Sequence, residues 1–190
     1  MQATTPLINN LTPTTGRMVN EENEIHNVVD PFGSLKIVGI EHSSVHAGTS
    51  FAYTTTATIP AGQSGYFLGR TGTTTAHMND FFIHSDQAPM TIQFFESPTV
   101  TSTGAAQTTV NRNRQAVNVA TLTVYANPTI SADGTRLFID QLLGTQKDVS
   151  GENLAGEWML KKSTDYIFKI TNSSSQSAQI VAGFNWIEQD

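Results

Sequence analysis

The chain contains no cysteine. Disulfide frameworks, thiolate metal sites and a cysteine nucleophile are therefore excluded. Charge is also scarce: charged residues are 14% of 190, against roughly 25% in ordinary soluble domains. The balance is acidic, with a formal net charge of −6. That argues against general nucleic-acid binding, which runs on phosphate neutralisation. No apolar run approaches the ~20 residues of a membrane span. The first residues lack the charged-then-apolar pattern of a signal peptide. No amphipathic stripe longer than about two helical turns occurs, and no internal repeat is visible.

The polar surface is built instead from Thr, Ser, Asn, Gln and Gly. Threonine tolerates the pleated backbone while remaining wettable, so this composition suits exposed β-structure. Strand candidates recur roughly every 10–15 residues with turn residues between them, which predicts an all-β protein, a β-sandwich or jelly-roll-like domain. Residues 1–27 are rich in Thr, Pro and Asn, with Pro6 and Pro13 barring a helix. They are expected to form a flexible polar N-terminal arm, with the β-sandwich domain over 28–190. Glu21, Glu22 and Glu24 read as a solvated acidic run.

Along the chain, Val28 to Ser34 reads as a turn-rich lead-in and Ser34 to His46 as a strand. Phe51 to Ile59 alternates and closes at Pro60-Ala61-Gly62. Met78 to His84 holds Phe81, Phe82 and Ile83 in a continuous apolar run, expected to be buried on both faces or to cross an interface. Ser131-Ala132-Asp133-Gly134 is a hairpin signal. Ile180, Ala182, Phe184 and Trp186 form one face of a closing strand, with Trp186 as a core anchor.

Reactive chemistry is thin. His42 and His46 are spaced i, i+4, but on the expected strand they would sit about 13 Å apart, too far to share a metal. His77 and His84 fall on opposite faces of their strand. No Gly-x-Ser-x-Gly elbow and no glycine-rich phosphate loop occurs. Glu96, Glu157 and Glu188 show no spacing that singles out a carboxylate pair. The chain thus reads as non-enzymatic, without cofactor or metal. A cupin-like metal enzyme is the competing class, and it would require the histidines to converge.

One stretch stands out. After Glu96 comes a long polar connection, then Asn111-Arg112-Asn113-Arg114, then a Thr/Val strand ending at Pro128. On extended chain the two arginines point the same way and could grip a carboxylate on another subunit, or tie their own loop. Arg112, Asn113 and Arg114, with Phe81 and Phe82, are the candidate partner contacts.

The run Phe95-Glu96-Ser97-Pro98-Thr99-Val100, the Asn-Arg-Asn-Arg segment and Thr123-Val124-Tyr125-Ala126-Asn127-Pro128-Thr129-Ile130 resemble a family of small tailed-bacteriophage virion proteins. Glu157-Trp158 through Thr171-Asn172, the closing Trp186-Ile187-Glu188 and the upstream Val45-His46-Ala47-Gly48-Thr49-Ser50-Phe51 are similar to the same family. Ser97 departs from the glycine that members often carry. The resemblance spans roughly His46 to Glu188. It implies a head- or capsid-associated structural protein of the decoration or cement type, located on the virion exterior and assembled in the host cytoplasm. The implied partner is the major capsid protein, bound by a homo-oligomer (dimer or trimer) without nucleic acid or membrane. The alternative within the virion is a tail- or fibre-associated module that contacts a receptor or glycan.

Overall fold

The computed structural model describes residues 26–29, 35–143, 149–151 and 157–189. The expected arm up to residue 25, its acidic run and most of residues 144–156 lie outside them. The chain divides into two compact units, residues 1–46 and 47–190.

In the first unit, β1 (His26–Val29) pairs antiparallel with β2 (Leu35–Val38). Helix α1 (Ile40–Ala47) follows. The strand expected from Ser34 to His46 therefore stops at Val38, and its second half is helical. Gly39 ends the alternation, and its carbonyl accepts the Ser43 N–H at 3.0 Å. The Ser44 hydroxyl donates to the Ile40 carbonyl at 2.8 Å. Gly48, at φ +71°, lies just past the helix in the left-handed conformation that ends helices.

The second unit begins with β3 (Ser50–Ile59), β4 (Ser64–Arg70), β5 (Ala76–Ser85) and β6 (Met90–Glu96). An insertion carries β7 (Thr99–Ser102), β8 (Ala105–Ala106), β9 (Val110–Asn111), β10 (Thr123–Ala126) and β11 (Thr129–Ala132). Then come β12 (Thr135–Leu142), β13 (Val149–Gly151), β14 (Trp158–Leu160), β15 (Asp165–Asn172) and β16 (Ala178–Glu188). One sheet runs β13-β5-β16-β3-β9, with β14 also on β5. The other runs β12-β6-β15-β4-β10-β8.

The pairing has a simple logic. Strands β3, β4, β5 and β6 pair in turn with β16, β15, β13 and β14, and β12, all antiparallel. The chain is one long hairpin whose two halves bend together, so that successive strands fall into alternate sheets. That is jelly-roll connectivity, and it bears out the all-β sandwich expected from the pattern.

Period-two alternation fills the space between the sheets. Phe51, Tyr53 and Ile59 of β3 are buried while Thr54, Thr56 and Thr58 are exposed. On β16, Ala178, Ile180, Ala182, Phe184 and Trp186 are buried while Gln179 and Val181 are exposed. Across the interface Phe81 of β5 stacks on Phe168 of β15, with centroids 4.0 Å apart and planes 7° from parallel. Phe94 stacks on Phe168 at 4.5 Å. Each such ring contributes about 1.5–3 kcal/mol by the area it buries.

The apolar run in β5 obeys the same rule once a bulge is counted. Opposite β16, Asn185 pairs with Asp80 but Trp186 pairs with Met78. Asn79 is the extra residue, so Met78 and Phe81 both face the core although their numbers differ in parity. The Asp133-Gly134 signal is a turn, with Gly134 at φ +85°, but it does not make a hairpin. Strand β11 pairs with β7, and β12 pairs with β6.

Asn172 holds one corner of the sandwich. Its side chain is fully buried. Its Nδ2 donates to the Ile59 and Gln176 carbonyls at 2.9 and 2.7 Å. Its Oδ1 accepts from Ser174 N–H at 2.9 Å. The turn after β3 and the turn after β15 are thereby tied together.

Candidate functional site

The insertion between β6 and β12 does three jobs. Strands β8 and β10 extend the second sheet beyond β4. Strand β9 pairs with β3 at Phe51 and Ala52, which extends the first sheet. The β7–β11 ribbon places Val100 and Ile130 over Leu68, Phe95 and Ile167 on the outer face of the second sheet. An uncovered edge or apolar outer face invites pairing with another chain, and the insertion closes part of both.

Between β9 and β10 the chain makes a loop, residues 112–120, that is pinned at each end. At its start, Asn111 Nδ2 donates to the Gly48 carbonyl at 2.9 Å and to the Asn118 carbonyl at 3.1 Å. The Arg112 N–H donates to the Ser50 carbonyl at 2.9 Å. At its end, the Glu188 carboxylate accepts the N–H of Thr121 at 2.8 Å and of Leu122 at 2.8 Å. The same carboxylate accepts the Trp186 indole N–H at 3.0 Å. Gly48 is needed for close approach: a Cβ there would lie 2.6 Å from the Ala116 Cβ.

The segment Asn111–Arg114 was expected to be extended, and it is not. Asn111 Oδ1 accepts the Asn113 N–H at 2.9 Å, and Asn113 Oδ1 accepts the Gln115 N–H at 3.0 Å. These are two successive Asx turns, each an asparagine side chain standing in for a backbone carbonyl. The asparagines therefore bend the loop and the arginines ride on it. The Arg112 Nη1 lies 3.4 Å from the Ser50 hydroxyl, and the Arg114 Nη1 lies 3.5 Å from the Asn111 carbonyl. Both guanidinium residues are exposed. Beyond them Val117 and Val119 are 92% and 82% exposed.

The other expected contacts separate. Phe81 is a core residue, 4% exposed, and a side chain so placed presents nothing to a partner. Phe82 lies half-buried on the opposite face, beside His84 and against Gly183, where a Cβ would meet its ring at 2.6 Å.

The three glutamates have separate partners. Glu96 accepts from Lys161 Nζ at 2.7 Å and from the Tyr166 hydroxyl at 3.0 Å. Glu157 meets His77 Nδ1 at 3.0 Å. Glu188 holds the insertion. The Lys161 ammonium holds the Glu96 carboxyl below its usual range, with Tyr166 reinforcing it against burial. Burial pushes the Tyr166 hydroxyl up to about 12, with a smaller push from Glu96.

Sequence reasoning missed the role of Glu188. The available signal was its i+2 relation to Trp186, which on a strand puts both on the buried face. A charged group there requires donors.

His42 and His46 are brought together rather than kept apart. On helix α1 their Nε2 atoms lie 3.0 Å from each other, because i and i+4 share a helix face.

The class defined by these features is an all-β protein of jelly-roll connectivity with a pinned, exposed loop. No protein-family model matches the chain. A comparison with curated proteins likewise returns no match.

Proposed function

We propose that the chain is a non-enzymatic virion structural protein that decorates or cements a tailed-bacteriophage capsid by binding major capsid protein subunits. The observation that carries this reading is the loop of residues 112–120. It is fixed at both ends, yet exposes two arginines beside two valines. A pinned loop loses little conformational freedom on docking, so its contacts are not spent on ordering it. Arginine and an exposed apolar residue side by side suit the centre of a protein interface. On a chain of net charge −6, this local positive charge steers the face towards an acidic partner surface. The motif resemblance supplies the virion context, with a homo-oligomer seated on the capsid exterior.

The test uses heads that lack the protein. Purified chain should cosediment with them. The double variant Arg112→Ala/Arg114→Ala should weaken binding by about tenfold or more. Val117→Asp should do the same. Rising salt should weaken the wild type more than the arginine variant. Wild-type chain that fails to bind such heads, or variants that bind equally well, would overturn the reading. Immunogold label on the tail would move the protein to the tail- or fibre-associated role.

A further inference from the structure

The histidine pair on α1 bears on a different property, independent of the virion reading. His42 and His46 are both exposed. Their rings meet edge-on with centroids 4.5 Å apart, and their Nε2 atoms are 3.0 Å apart. An ion at the usual metal–imidazole distance of about 2.0–2.1 Å from both nitrogens would see them at roughly 95°. That is close to the right angle of tetragonal copper(II) or nickel(II) coordination. Imidazole is a preferred ligand of these ions and of zinc.

We propose that α1 carries an exposed two-histidine chelate for a divalent late transition metal, copper(II) or nickel(II) before zinc. Tetrahedral zinc would require the nitrogens to spread to about 3.3 Å. Without the ion, one Nε2–H donates to the other Nε2. On binding, the donor ring moves its proton to Nδ1 through solvent, so both Nε2 lone pairs face the ion and no net proton is released. Among the described residues no group of three or more His, Asp or Glu side chains could hold a metal. The described residues therefore offer the ion two imidazole ligands and no larger ligand group. The helix supplies the preorganisation: Gly39 and Gly48 mark its ends, and the Ser44 hydroxyl bonds to the Ile40 carbonyl between the two ligands.

The experiment is a titration of the full-length, untagged chain with copper(II) chloride, followed by calorimetry and electron paramagnetic resonance. One ion per chain should bind, with two imidazole nitrogens in its equatorial plane. His42→Ala and His46→Ala should each lower the affinity by about tenfold or more, because the second imidazole acts at high effective concentration once the first is bound. His84→Ala, which removes an exposed histidine of β5, should leave it unchanged. Substoichiometric copper should broaden the nuclear resonances of residues 40–48 before any others, which requires no variant. Single-nitrogen coordination, broadening centred elsewhere, or equal affinity in the His42→Ala and His46→Ala chains would overturn the proposal.

Discussion

Glu188 joins the closing strand to the middle of the chain through one buried carboxylate. Among the described residues its oxygens face N–H donors alone: the backbone of Thr121 and Leu122 and the indole of Trp186. Glu188→Gln keeps the volume and an acceptor oxygen within reach of all three donors, but it removes the charge and turns an NH2 group towards the Thr121 N–H. The expected loss is about 1.5–3 kcal/mol of unfolding free energy, the range for hydrogen bonds to charged groups. Urea denaturation measures it. The loop should also loosen in the native state, so trypsin should cut after Arg112 and Arg114 faster in the variant. Unchanged stability together with unchanged cleavage would show that the carboxylate is not the anchor. Tyr166 and Glu96 make a second residue-scale device. Tyr166 is raised to about 12 when folded, so the folded state holds its proton more tightly than the unfolded chain. Its contribution is complete below the ordinary tyrosine value of about 10 and is lost as pH climbs from there to about 12. Glu96 is lowered, so its contribution is present above the ordinary carboxylate value and is lost as pH falls below about 4. Stability curves of Tyr166→Phe should show a weaker alkaline fall, because Tyr53, also raised by burial, remains, and those of Glu96→Gln should show a weaker acid fall. Curves that superimpose on the wild type at both ends would rule out the coupling.

At the scale of elements, the insertion covers what the two sheets leave open. Replacing residues 99–132 with a short glycine-serine linker would bare the edge of β4 and uncover Leu68, Phe95 and Ile167. The expected outcome is a chain that still forms the paired strands but associates with itself, seen as a rise in mass by light scattering. A monodisperse product would mean that the insertion protects nothing. The elements also show where sequence patterns suffice. β3 and β16 were legible because their alternation runs through the strand and turn residues bound them. The burial of β5 was not, because Asn79 adds a residue and swaps the parity of everything after it. Helix α1 was not legible either. It has eight residues, too few for a helical period to outweigh the β-branched run before it. Its real signals were the glycines at its two ends. In the loop, the arginines are legible as charge, whereas Asn113, expected to contact a partner, closes an Asx turn with Asn111 before it. The asparagines' spacing of two residues was the Asx-turn signal.

On the scale of the whole molecule, the strand pairing links the beginning of the sandwich to its end. Strand β3 starts at Ser50, and its partner β16 starts at Ala178. Ile180 pairs with both Ala57 and Ser85, so β16 lies in the middle of its sheet, between β3 and β5. Pairing across so long a separation demands closure of nearly the whole second unit before the contact repays it. During synthesis β3 and β5 emerge before β16, the strand that lies between them in their sheet. A chain stalled before Ala178 would lack that strand, so the first sheet is completed only once β16 has been made.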